Sequence, residues 1–124
     1  MSFPRLIKSI QYAGRGLKQT WKEELNFRIE VIIAILILFI SCWLQLEAVK
    51  ITIIVLACGL VLTLELVNTM IEHISDMLKP RLDQYVRQIK DISSAAVLVA
   101  ALTAVVIACY LILPLIWKLL SWQT

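Results

Sequence analysis

The stretch ITIIVLACGLVLTLELVNTMIEHISD, residues 51–76, begins as an uncharged apolar run and ends with regularly spaced polar side chains. Glu65, Asn68, Glu72 and Asp76 follow one another at spacings of three or four residues, which places them on one face of an α-helix. At ~100° per residue, Glu72 and Asp76 point within about 20° of Glu65, and Asn68 lies about 60° to one side. A helix built from this stretch therefore carries an acidic stripe at the end of an apolar segment.

The composition indicates a membrane protein. The chain has 124 residues, enough for a single domain, with 60% hydrophobic residues and a mean hydropathy of +0.86. Soluble domains contain roughly 45–50% apolar residues. A chain of this length cannot bury so much apolar surface within itself, so lipid must be part of its solvent.

The hydrophobic pattern predicts an all-α membrane protein with an N-terminal amphipathic surface helix and three transmembrane helices. Residues 3–25 place apolar side chains at helical spacings with Lys and Arg between them, which is typical of a helix lying in the membrane interface. Apolar spans are expected at about 27–46, 49–70 and 92–117, each close to the ~20 residues that cross a bilayer. Together they form one membrane-embedded domain covering residues 1–124.

The basic residues predict the orientation. Six Lys or Arg precede the first apolar run, and four lie in the polar break at 77–91. The positive-inside rule therefore puts the N-terminus and a 77–91 loop in the cytoplasm, and three spans leave the C-terminus outside. We expect a multi-pass protein of the cytoplasmic (inner) membrane. Nucleic acid is excluded as a partner, because these charges flank apolar spans.

Glu65 is the strongest candidate for a functional residue. It lies within LVLTLELV, and ionisable groups inside spans are costly and usually mark function. Asp76 is well explained as a solvated helix end, and Glu72 lies between these two cases. The three cysteines stand alone in apolar stretches and are interpreted as buried spectators.

Two further polar clusters flank the spans. In EELNFRIE, residues 23–30, Glu24 either pairs with Arg28 one turn away or binds a divalent ion together with Glu72. In KDISSAA, residues 90–96, Asp91 or a serine caps the third span, or the helix start and Lys90 form a phosphate site. The phosphate loop GxxxxGK[ST] of soluble nucleotide-binding proteins is absent.

The combination of ELVNTMIEHISD with KDISSAAVLVA resembles the prokaryotic integral-membrane diacylglycerol kinase family, which also includes undecaprenol kinases. The segments RLIKSIQYAGRGLKQTW and EELNFRIE fit the same family pattern, so the resemblance covers nearly the whole chain. It implies phosphorylation of a lipid hydroxyl with Mg²⁺ and ATP by a homotrimer. Diacylglycerol is the favoured acceptor and undecaprenol the alternative. Met70 stands where the family has a small residue.

The resemblance also implies roles for individual residues. Glu65 matches the catalytic carboxylate that faces the lipid hydroxyl, and Glu24 and Glu72 match the metal ligands. The nucleotide-contacting positions are Arg5, Tyr12, Glu24, Glu72, Lys90 and Asp91. The positions that bind substrate or support the site, besides Glu65, are Asn68, Asp76 and Ser94.

Two interpretations from other classes stay open at this stage. In a small proton-coupled transporter, Glu65 would be the carboxylate that binds and releases the proton. In a structural membrane subunit, the small residues at 93–104 would serve helix packing, but Glu65 would have no role. Neither interpretation accounts for two additional acidic clusters at one membrane face.

Overall fold

The computed structural model describes residues 3–78 and 83–121, which form α-helices throughout apart from short connections. In chain order these are α1 (Phe3–Glu23), α2 (Leu25–Trp43), α3 (Ala48–Leu78) and α4 (Asp83–Ser121). The last three are each long and apolar enough to cross a membrane. The predicted fold class, an amphipathic helix followed by three membrane-spanning helices, is confirmed.

The surface helix α1 ends at Glu23, two residues before the predicted end at residue 25. Glu24 is extended, with φ −104° and ψ 112°, and α2 starts at the next residue. The backbone remains hydrogen-bonded through this joint, because the N–H of Glu24 donates to the carbonyl of Thr20 at 2.8 Å and the N–H of Arg28 donates to the carbonyl of Glu24 at 3.4 Å. Glu24 is therefore held between two helices.

A tight turn joins α2 to α3. Gln45 has a positive φ of 53°, a conformation that lets the chain reverse within a few residues. The N–H of Leu46 donates to the carbonyl of Ser41 at 3.1 Å, which satisfies part of the end of α2. Leu46 is buried, and α2 ends at Trp43 rather than at residue 46 as predicted for this span.

The break at 77–91, predicted to be a loop, is largely helical, so that prediction was wrong. Residues 77–78 end α3, and residues 83–91 form the first turns of α4, while 79–82 lie outside the described residues. The reason is that apolar side chains recur at helical spacing between the charged residues at the start of α4. Val86 is 1% exposed within this segment, and α4 packs along α3 more extensively than any other helix pair in the described chain.

Most apolar side chains lie on the outside of the bundle. The described core is small and includes Phe27, Ile54, Val61 and Ile112, whereas residues such as Leu56 are more than half exposed. Exposed apolar surface on this scale needs a lipid or protein partner. The fold therefore buries little of its hydrophobic surface internally and presents the rest to its surroundings, as expected for membrane-spanning helices.

Candidate active site

Glu65 is buried in the second half of α3, with a residue exposure of 3%. Its backbone carbonyl accepts a hydrogen bond of 3.1 Å from Oγ1 of Thr69. The buried hydroxyl of Thr69 therefore has its hydrogen-bond partner within the same helix. The charges of Glu24 and Glu72 both act on the Glu65 carboxylate. The fold thus brings the α1–α2 joint close to the acidic stripe of α3.

Asn68, the next polar residue on this face of α3, holds the side chain of Glu72. Nδ2 of Asn68 donates a hydrogen bond of 3.2 Å to Oε1 of Glu72, one turn further along α3. Oδ1 of Asn68 is buried and has no hydrogen-bond partner among residues 3–78 and 83–121. Buried polar atoms are rarely left unpaired, so this oxygen is an acceptor available to a ligand or a water molecule.

Arg28 does not pair with Glu24, although their spacing allowed a simple ion pair. Within the described residues no ion pair joins these two side chains, and Nε of Arg28 is buried without a hydrogen-bond partner. The Glu24 carboxylate is therefore not neutralised by its helical neighbour. This leaves the divalent-ion interpretation of Glu24 open and removes the alternative.

Asp76 is not simply a solvated helix end. Nζ of Lys90, on α4, donates to Oδ1 of Asp76 at 3.0 Å, which ties the end of α3 to the start of α4. Lys90 is thereby brought to the acidic stripe, and the charge of Glu72 acts on it as well. The sequence singled out both residues but gave no reason to pair them.

The remaining predicted site residues are exposed. They are Arg5 and Tyr12 on α1, and Asp91 and Ser94 on α4. The ring of Tyr12 lies under the guanidinium of Arg15, with 4.7 Å from Cζ to the ring centroid. The nucleotide roles of Arg5, Tyr12 and Asp91 and the supporting role of Ser94 stay predictions.

Glu30 is a polar residue of α2 that the sequence reasoning did not include among the site residues. Its Oε2 is buried without a hydrogen-bond partner in the described part of the chain, and the charge of Glu65 acts on its carboxylate. It lines a cavity of about 120 Å³ between α2, α3 and α4. A carboxylate directly before VIIAILIL was the signal that could have identified it.

A groove of about 460 Å³ separates α1 from α3 beside the buried glutamate. Leu17 and Thr20 line one wall, and Leu66, Thr69 and Met70 line the other. Nε2 of His73 and Oε2 of Glu23, which also line the groove, lie 3.7 Å apart and connect the two helices. The groove is mainly apolar and lies next to the site, as a lipid-binding groove would have to.

The donor set suits a metal ion that arrives with phosphate rather than a metal held by protein alone. The described residues contain no group of three or more His, Cys, Asp or Glu side chains placed to bind a metal. Glu24 and Glu72 nevertheless both act on Glu65, and Mg²⁺ is commonly held by one or two carboxylates plus substrate phosphates. Glu24 and Glu72 are thus of the ligand type that a magnesium–nucleotide complex requires.

Comparison with known proteins identifies the family. The family model of prokaryotic diacylglycerol kinase matches residues 11–112. The diacylglycerol kinase of Escherichia coli K12 is 34% identical over 110 residues, which cover 89% of this chain and 90% of the relative. The undecaprenol kinase of Bacillus subtilis is 33% identical over 110 residues, 89% of each chain. The diacylglycerol kinase of Helicobacter pylori 26695 is 33% identical over 97 residues, 78% of this chain and 76% of the relative. The transporter interpretation finds no support.

Proposed function

The chain belongs to the prokaryotic diacylglycerol kinase family and is a membrane-embedded lipid kinase, and we propose that it transfers the γ-phosphoryl group of ATP to the hydroxyl of diacylglycerol. The observation that carries the proposal is the burial of Glu65 on a helix face that also carries Asn68 and Glu72, which are joined by a hydrogen bond of 3.2 Å. Phosphoryl transfer depends mainly on positioning and charge neutralisation, and this arrangement offers both a proton acceptor and metal ligands.

Glu65 is proposed as the general base. It accepts the proton of the lipid hydroxyl while the hydroxyl oxygen bonds to the γ-phosphorus and the bond from phosphorus to the bridging oxygen breaks, so that ADP leaves with the electron pair. Its burial at 3% exposure supports this role, because the carboxylate is shielded from bulk water. Asn68, one turn away, presents its unpaired Oδ1 to the same region and is proposed to support the acceptor lipid.

Glu24 and Glu72 are proposed to hold Mg²⁺, which would neutralise charge on the ATP phosphates when bound. The hydrogen bond from Asn68 restricts the Glu72 side chain before any metal is present. Lys90, drawn to the stripe by Asp76, is proposed to contact phosphate oxygens. Arg5, Tyr12 and Asp91 are proposed as further nucleotide contacts and Ser94 as a supporting residue, on family resemblance alone.

The groove between α1 and α3 is proposed to admit the lipid acceptor. It is wide enough for part of an acyl chain, its walls are mostly apolar, and Leu66 and Thr69 place it beside Glu65 on the same helix. A lipid hydroxyl at headgroup level can reach this position without leaving the bilayer. Undecaprenol is the second candidate acceptor, because the Bacillus subtilis relative of that name is nearly as similar as the diacylglycerol kinases.

We further propose a homotrimer in the cytoplasmic membrane, with the N-terminus inside and the C-terminus outside. The small residues at 93–104 support assembly, since they allow close helix approach in lipid. The distribution of Lys and Arg supports the orientation.

The test is phosphate transfer by the purified protein in mixed micelles containing Mg²⁺ and radiolabelled ATP, with diacylglycerol and undecaprenol offered in parallel. We expect label in phosphatidic acid, with less in undecaprenyl phosphate. A Glu65→Gln variant should transfer at least about 100-fold more slowly, whereas Glu47→Gln, which alters an exposed carboxylate in the turn just before α3, serves as the matched control. Folded protein that labels neither lipid would refute the proposal.

A further inference from the structure

The pair between Asp76 and Lys90 differs from the other lysine–carboxylate pair in the described chain. Nζ of Lys90 and Oδ1 of Asp76 are 3.0 Å apart, and the two residues lie 14 positions apart on different helices. In contrast, Lys50 and Glu47 are local neighbours, three positions apart at 3.3 Å. The Asp76–Lys90 contact therefore depends on how α3 and α4 pack together.

Lys90 lies close to a second carboxylate. The charge of Glu72 acts on its ammonium in addition to that of Asp76. Glu72 and Asp76 are four positions apart on α3 and so share one face. Because Glu72 lies one turn from Asp76 on the same face, the hydrogen bond to Asp76 brings the ammonium of Lys90 near the carboxylate that we propose as a metal ligand.

Asp76 limits the position of the Lys90 ammonium but uses only one of its hydrogen-bond donors. A lysine side chain is long and flexible, and a fixed carboxylate limits the positions its ammonium can take. The ammonium has three N–H donors, of which the observed hydrogen bond uses one. The side chain of Lys90 keeps 28% of its surface exposed, so the other donors remain accessible.

We propose that Asp76 is a positioning residue for ATP: it holds the ammonium of Lys90 beside Glu72 and touches no part of the nucleotide. This inference rests on the proposed function, in which Lys90 contacts the phosphates. It assigns Asp76 a role through Lys90, whereas a solvated helix end would have none. The role belongs to binding of the donor and not to the chemistry at the lipid hydroxyl.

The test is a double-mutant cycle between Asp76→Ala and Lys90→Ala in the full-length protein, with the KM for ATP and kcat measured separately. We expect Asp76→Ala to raise the KM for ATP about fivefold, as for the loss of a partly exposed charged contact, and to change kcat less than about twofold. In the Lys90→Ala background the same substitution should have no further effect. Asp76→Glu should restore most of the affinity, and Glu47→Gln is the matched control for loss of a lysine-paired carboxylate.

Equal effects of Asp76→Ala in both backgrounds would overturn the inference, since Asp76 would then act independently of Lys90. A lower KM in Asp76→Ala would also overturn it, because Asp76 would then compete with phosphate. Equilibrium dialysis with ATP separates this inference from the proposed function. If the wild-type protein labels neither lipid, the proposed function is refuted. The role of Asp76 is still supported if Asp76→Ala raises the Kd for ATP about fivefold and the increase depends on Lys90. An unchanged Kd in Asp76→Ala refutes that role.

Discussion

The side-chain amide of Asn68 donates a hydrogen bond of 3.2 Å to the carboxylate of Glu72, and both residues lie on the polar face of α3. This bond fixes one oxygen of Glu72 before any metal or nucleotide arrives. Groups that orient a metal ligand commonly affect metal affinity about 10- to 100-fold. The proposed metal role of Glu72 therefore predicts that Asn68 influences the magnesium requirement.

We expect Asn68→Leu to raise the Mg²⁺ concentration that gives half-maximal phosphate transfer about tenfold, because Glu72 loses its hydrogen-bond donor. Glu72→Gln should raise it at least as much. The measurement is a Mg²⁺ titration of the transfer rate at saturating ATP. Lys50→Leu is the control, since Lys50 also donates a hydrogen bond to a carboxylate, that of Glu47, away from the site. An unchanged Mg²⁺ dependence in Asn68→Leu would argue against the metal role of Glu72.

Glu65→Gln should lower kcat by about 100-fold or more, in the range typical of a lost general base, while ATP binding stays close to wild type. Glutamine keeps the shape of the buried side chain but cannot accept the proton of the lipid hydroxyl. Single-turnover transfer and equilibrium dialysis measure the two quantities separately. Loss of ATP binding together with turnover would instead make Glu65 a metal or nucleotide ligand.

Glu30→Leu should make the protein more stable and less active. Oε2 of Glu30 is buried without a partner in the described residues, and an apolar side chain of similar size removes that unfavourable group. We expect a thermal midpoint raised by a few degrees, about what 1 kcal/mol gives in a domain of this size. Transfer should fall, because Glu30 lies close enough to Glu65 for the two carboxylates to interact, and the substitution removes that interaction. A variant that is both more stable and fully active would show that Glu30 has no part in the reaction.

Met70→Ala should shift acceptor choice. Met70 lines the groove between α1 and α3 and is 57% exposed, so its truncation widens the groove on the α3 side. We expect the ratio of undecaprenol to diacylglycerol phosphorylation to change about three- to tenfold, less than the roughly 10- to 200-fold effect of one methylene group in an enclosed apolar pocket, because Met70 is partly exposed. Met77→Ala removes a methionine from the same helix outside the groove and is the matched control. Equal changes in both variants would disconnect the groove from acceptor selection.

The sequence predicted relationships within a helix better than those between helices. The spacing of Glu65, Asn68 and Glu72 determined their shared face, because helical periodicity depends only on separation along the chain. The Asp76–Lys90 pair depends on the packing of α4 against α3, which no spacing specifies.

The polar break was misread for a related reason. Pro80 and several charges at 77–91 are typical of a loop, but Val86 gives the segment an apolar contact with the bundle, and packing outweighed local composition. The sequence did not predict Glu30 as a site residue, because it lies at the start of a span where local composition does not indicate burial. Its burial became visible only once α2, α3 and α4 were placed together.

Helix α3 is longer than the hydrocarbon core of the membrane is thick. Its 31 residues span about 46 Å, whereas the hydrocarbon core is only about 30 Å thick. If the core begins near Ala48, it ends about 20 residues later, close to Asn68. Glu65 then lies at the boundary, with Glu72 and Asp76 among the headgroups and the aqueous phase. The position of α3 in the membrane thereby sets the depth at which the lipid hydroxyl and the nucleotide meet. We therefore expect the reaction rate to depend on bilayer thickness.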